Sequence, residues 1–244
     1  MKFIRKLHYI LSLVVGLQLM IWLVSGFYFN VMDSEKVSGN QYKVQGAHNI
    51  VFDLANVMPI ENLLVSHPNI VSIDVVNVLG SAHYLAYFSK ALYPHFKQDY
   101  QLFEVTDLTP FTITKDIAKQ IATLSYNGSG QPFRITLMEK PIELLKQKNA
   151  SWRVDFDDQV NTSVYVDAHA GHIIGHTDDN KRFADFFFML HFMDYAKEGS
   201  FNNYLMMFFS VIAFWLSLTG TLWVSYMIRK GQYKVRLKKK PRLN

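Results

Sequence analysis

The residues best suited to chemistry are histidines and carboxylates, because the chain has nine histidines and no cysteine. Thiolate metal sites, disulfides and cysteine nucleophiles are therefore excluded. His169, His172 and His176 fall close together, beside Asp167, Asp178 and Asp179. Neutral imidazole and carboxylate are ligands for zinc, copper or nickel. A competing reading is available from the same letters. Asp167-Ala168-His169-Ala170-Gly171 has the composition of a strand-to-strand turn, in which the Asp bonds the turn backbone and the other polar groups are solvated. The pairs Asp157-Asp158 and Asp178-Asp179 also sit in turn-like contexts, which suits solvation better than acid–base work. No Gly-x-Ser-x-Gly, His-Glu-x-x-His or phosphate-binding loop occurs, so the residues offer little support for an enzyme acting on its own.

The elements that must position these residues begin with two long apolar runs. One spans 9–31 and the other 204–228, and neither contains Lys, Arg, Asp or Glu. About 20 apolar residues cross a hydrocarbon core of about 30 Å, so each run is expected to be a transmembrane helix. The first could instead be a signal peptide, since Lys2, Arg5 and Lys6 precede it. It is too long for that, and no small-x-small cleavage site follows Ser25-Gly26. Eleven of the 25 basic residues lie outside the two runs, in the flanks 1–8 and 229–244, and all 20 acids lie between the runs. Basic flanks stay cytoplasmic. The expected topology is two-pass, with both termini in the cytoplasm and the central region outside, most simply in a bacterial periplasm. The net charge of +5 is thus a topology signal, with the bilayer as a partner and no case for nucleic acid.

The stretch 32–46 reads as a polar linker. An α+β unit is expected over 47–110, with a helix over 56–66 and strands over 70–79, 82–89 and 101–106, then a loop over 107–110. A second unit is expected over 111–180. Its helix is capped by Thr114 and carries Asp116 in the first turn. Alternating strands follow at 133–139, 152–157 and 162–167, with a short final strand at 172–175. The segment 181–203 is aromatic, with Asp185 and Asp194 interspersed. It could lie on the outer leaflet with its rings at headgroup level, or serve as a docking face leading into the second long helix.

Thr114-Lys115-Asp116-Ile117-Ala118, Trp152-Arg153-Val154-Asp155-Phe156 and the run from Val164 to Ile174 resemble a PepSY domain, a small α+β module of extracytoplasmic bacterial proteins. Arg5-Lys6-Leu7-His8, Leu190-His191 and Thr219-Gly220-Thr221-Leu222-Trp223 resemble the PepSY-associated transmembrane family. The family's Leu-His pair is usually followed by a small residue and Gly, where this chain has Phe192-Met193. The resemblance covers the second unit and the helices, and the 47–110 unit only loosely. It implies an α+β extracytoplasmic domain, in two related units, between two transmembrane helices. It also implies a non-enzymatic accessory or regulatory role with a protein partner or a second copy. Members with more helices include haem-bearing reductases of iron and siderophore uptake, so the resemblance makes His8 and His191 candidate ligands of haem b. The core of about 30 Å separates them in a two-helix chain. A metal or ligand sensor is the third expectation. Ser12, Gly16 and Gly26 on the first helix, and Ser217, Gly220, Thr221 and Ser225 on the second, have the small-residue spacing of close helix packing.

Overall fold

The computed structural model describes residues 2–45, 57–89, 97–141, 143–144, 147–196 and 203–232, with the side chains of 2–5 left aside. Most of the basic tail, the start of the first unit and part of the aromatic segment lie outside these residues.

Helix α1 runs Lys2–Val31, and helix α5 runs Tyr204–Arg229. Both are long and apolar enough to cross a membrane. Only 11% of the residues in the first apolar window and 0% of those in the second are buried within the chain. A core helix of a water-soluble protein would be buried, so the exposed Leu13, Leu17, Phe27, Phe208, Val211 and Phe214 call for a lipid solvent. The less exposed side of α1 recurs at 8, 11, 15, 18, 22, 25, 29 and 32. That 3-4 spacing is the seam of a helix packed against antiparallel neighbours.

Between these helices stand two sheets of the same plan. Helix α2 (Ile60–Ser66) precedes β1 (Ser72–Val78), β2 (Ser81–Ser89), β3 (Asp99–Glu104) and β4 (Pro110–Phe111). Helix α3 (Lys115–Leu124) precedes β5 (Pro132–Met138), β6 (Ser151–Phe156), β7 (Ser163–Asp167) and β8 (Ile173–Thr177). Each sheet is an antiparallel meander in the order of the sequence. The expected α+β layout is present, with differences at the edges. Pro59 is the cap of α2, which therefore starts later than Asn56. Pro110-Phe111 adds a fourth strand where a loop was expected, because Leu102 and Phe103 continue the ladder to them. A bulge opposite Tyr165 and Val166 carries β8 on to Thr177.

Alternation sorts the two faces of the second sheet. Val154, Phe156, Val164 and Val166 point toward α3, where Ala118 and Ala122 allow close approach. Val78, Leu85, Tyr100 and Leu102 of the first sheet join the same core, while Tyr84, Ala86 and Phe103 pack under Leu63 of α2. Thr114 caps α3 as expected, its side chain accepting from the Ile117 N–H.

The stretch 32–46 is not a free tether. A 3-10 turn at Lys36–Ser38 leads to Lys43, which bridges Tyr126, and the Val44 N–H donates to Ser125 O at 2.9 Å. Gly39, at φ +75°, lies so close to His176 O and the Lys181 side chain that a Cβ would meet each at 2.7 Å.

Helix α4 (Asp179–Phe192) does not lie apart from α1 as a separate surface helix. It packs against the C-terminal end of α1. Tyr28 stacks on Phe187 at 4.1 Å and Phe29 on Phe188 at 4.6 Å.

Candidate functional site

Helix α4 carries side chains that reach both the sheet above and α1 below, and the best-formed polar constellations gather at its two ends. At the upper end, β6, β7 and β8 present Arg153, Asp155, Ser163, Tyr165 and Thr177 on the face turned away from α3. The Glu143 carboxylate enters this face from the β5–β6 loop. It accepts from Arg182 Nε at 3.1 Å, Arg153 Nη1 at 3.3 Å, Tyr165 Oη at 3.0 Å and Thr177 Oγ1 at 2.7 Å. Arg153 also pairs with Asp155 at 2.6 Å, and Arg182 with Asp179 at 3.0 Å. Burial alone would raise the Glu143 carboxyl, yet the bonds from Arg182 and Thr177 and the guanidinium charges hold it below the usual range. Every charge here has a partner. The cluster is therefore a clamp joining α4 to the sheet.

At the lower end, the Ser25 hydroxyl donates to Ile21 O at 2.7 Å. With its proton so placed, Ser25 Oγ accepts from His191 Nδ1 at 2.9 Å. That bond assigns the proton to Nδ1 and leaves Nε2 with its lone pair. Trp22 Nε1 donates to His191 O at 2.7 Å, and Asn203 Nδ2 donates to Phe192 O at 2.7 Å. Asn203 Oδ1 in turn accepts from the Met206 N–H and caps α5. His8 sits near the other end of the α1 seam, its ring 5.9 Å from Trp215. Between His8 and Ser25, 17 residues of helix place the two histidines about 25 Å apart. One haem cannot take both as axial ligands within one chain.

The histidine trio does not assemble. His169 and His172 are exposed, whereas His176 is 3% exposed and points toward α3. The bulge in β8 breaks the alternation that would have set His172 and His176 on one face. Among the described residues, no group of three His, Asp or Glu side chains could hold a metal ion. Asp167 has the turn role of the competing reading. Its Oδ1 accepts from the His169 and Ala170 N–H groups at 2.8 Å each, and Gly171 closes the turn at φ +72°.

His176 has a structural place instead. Ser125 Oγ lies 3.1 Å from its Nε2, and the Ser125 proton is directed to Ala122 O at 2.9 Å. Burial, with a further contribution from Lys43, lowers the imidazole to about 4. The folded chain therefore keeps His176 neutral while an unfolded histidine protonates near 6.5. Stability is full above pH 6.5 and is expected to fall by roughly 3 kcal/mol as pH drops toward 4. In urea titrations at stepped pH, His176→Gln should flatten this slope. An unchanged slope would remove His176 as its source.

The small residues do not mediate helix contact within the chain. Ser12, Ser217, Thr221 and Ser225 are exposed. A Cβ on Gly16 or Gly220 would meet nothing within 4 Å, and one on Gly26 only the His191 ring at 4.0 Å. The less exposed sides of the two helices carry Leu11, Val15 and Gln18 of α1 and such residues as Met206, Phe209, Ala213 and Leu216 of α5.

Sequence reasoning missed Glu143, Arg182, Ser25, Trp22 and Asn203. Two had readable signals. Asn203 stands immediately before an apolar run, a helix-start signature, and the Trp22 indole N–H in an apolar helix requires an acceptor. No family model, no curated protein and no solved structure matches the chain.

Proposed function

We propose that the protein is a membrane-anchored module of the bacterial inner membrane, of the PepSY type, that couples its extracytoplasmic domain to its two transmembrane helices in an accessory or regulatory role. The observation that carries this reading is the double attachment of α4. Arg182 fixes its first turn to the sheet through Glu143, and Tyr28, Phe29 and Ser25 fix its last turns to α1. A change of shape at the sheet is thereby handed to the helices and on to their basic cytoplasmic ends. The helix-then-antiparallel-strand plan of 115–177 supports the PepSY resemblance, and the charge-bearing flanks support termini in the cytoplasm.

The cysteine-free chain makes the test direct. Paired Tyr28→Cys and Phe187→Cys should cross-link under mild oxidation in native membranes. Adding Arg182→Ala should lower the yield severalfold while the domain stays protease-resistant. An unchanged yield would sink the coupling. Ser81→Cys, at the exposed start of β2, should react with an impermeant maleimide in intact spheroplasts. Reaction only after lysis would reverse the orientation.

A second reading, a b-type haem subunit of a membrane reductase, is favoured by the Ser25 contact at His191 Nδ1, a bond that would orient the ring and direct the Nε2 lone pair outward as a ligand. A second axial ligand would have to come from another chain, since His8 is out of reach. Purified protein grown with iron would then show a Soret band that His191→Ala abolishes, and no band in the parent protein would end this reading.

A further inference from the structure

Helix α5 does not accompany α1 to its outer end. The His8 ring meets Trp215, and Trp215 lies eleven residues into α5, so α5 begins about 16 Å outward of that contact. Helix α1 continues 23 residues past His8, about 35 Å. The outer stretch of α1, close to 20 Å of helix, therefore has no α5 beside it. The seam there, at Trp22, Ser25 and Phe29, is filled by α4 instead.

Three features of α4 match a lipid setting. From Phe186 to Met193 it carries no Asp, Glu, Lys or Arg. Phe183 and Phe186 are exposed on it, and Leu23, Val24 and Phe27 are exposed on the adjoining stretch of α1, so the apolar surface continues from one helix to the other. The carbonyls of His191 and Phe192, which water would hydrate at a helix end in solution, are bonded by the Trp22 and Asn203 side chains. Internal satisfaction of a broken helix end is what a hydrocarbon environment requires. Met193 and Asn203, which flank the break, are themselves buried.

We propose that the lower half of α4, Phe186 to Met193, is seated in the outer leaflet of the bilayer, and that α4 and α5 together form one broken membrane element alongside α1. Its partner is the lipid of the outer leaflet. This rests on the membrane reading of α1 and α5, and the test separates the two.

Single cysteines placed by Phe186→Cys, Leu23→Cys, Phe214→Cys and Asn127→Cys, in full-length protein in phosphatidylcholine–phosphatidylglycerol vesicles, are spin-labelled. Their relaxation by oxygen and by a water-soluble nickel chelate is compared. The label at 186 is expected to match those at 23 and 214, with oxygen severalfold more effective than nickel, and to differ from the water-facing control at 127. Lipid exposure at 23 and 214 with nickel accessibility at 186 overturns the proposal alone. Shielding of 186 from both reagents overturns it too, by assigning this face to protein. Nickel accessibility at 23 and 214 as well overturns the membrane reading beneath it. Phe183→Cys, one turn higher, provides a second position, where a shallower depth than at 186 is expected.

Discussion

Asp167→Ala should cost the domain about 3–5 kcal/mol, the largest single effect in the chain. The side chain is 0% exposed, and its acceptors are all in use. Besides the two turn N–H groups, it takes the Tyr100 hydroxyl on Oδ2, and Gln147 Nε2 approaches at 3.4 Å. Alanine strips the carboxylate acceptor from the Tyr100 hydroxyl and the buried Ala170 N–H, each at a cost of about 1–3 kcal/mol, while water can reach the half-exposed His169 N–H. Tyr100 stands on the first sheet and Asp167 ends a strand of the second, so the bond joins the two units. Burial and the nearby carboxylate raise the Tyr100 phenol, which remains a donor throughout the accessible pH range. Tyr100→Phe should lose less, about 1–2 kcal/mol, since the ring stays and only the hydroxyl's bonds to Asp167 and Asn149 go. Urea midpoints of the detergent-solubilised chain measure both. A value for Asp167→Ala within about 0.5 kcal/mol of the parent would show that the turn finds other acceptors.

Glu143→Ala should follow at about 2–4 kcal/mol, for a different reason. Here charge is stranded. Arg153 and Arg182 are each about three-quarters covered, at 27% and 25% exposed, and both turn toward this carboxylate. Arg153 retains Asp155, and Arg182 retains Asp179 and Asn161 O, which limits the loss to less than that of an isolated buried ion. Glu143→Gln, with its size kept and its charge removed, should fall between. The pH dependence has a definite sign. The folded carboxyl lies below its unfolded value, so its contribution is present above the unfolded value near 4.3 and is lost as pH falls through the folded value. Thermal scans across pH 3–6 should find the decline at the acid end shallower in Glu143→Gln than in the parent, beneath the His176-dependent fall that both proteins share. Parallel declines in the two proteins would place the acid sensitivity elsewhere.

How far these sites could be read from sequence depends on how local their causes are. The membrane helices were legible because length and absence of charge are properties of a contiguous run. So was α3, whose Thr114 cap and 3-4 apolar face lie within a dozen residues. The Asp167 turn was legible as a turn, since Asp167 and Gly171 mark it at fixed spacing. The Tyr100 bond that makes it an inter-unit junction spans 67 residues and has no local signature. Glu143 sits in a segment without periodicity, and its importance comes from strands and a helix that converge on it. The histidine trio misled because proximity along the chain was taken for convergence, and one bulge in β8 was enough to undo it. The small residues on α1 and α5 were read as a face for helix packing or dimerisation, and within one chain the two helices do not meet through them. Spacing marks a face of a helix, and the partner's position decides which face is used.

The chain leaves and re-enters the membrane unit at almost one point. Gly39, on the way out, packs against Lys181 on the way back, and Asn180 Nδ2 lies 3.4 Å from Gln41 Oε1. A body held by one flexible tether can swivel freely about it. A body held by two adjacent strands that are braced to each other cannot, because rotation would have to twist both together and break the brace. The two crossings therefore hold the domain in one rotational setting over the helices, and turning it would first have to part Gly39 from Lys181 and Gln41 from Asn180.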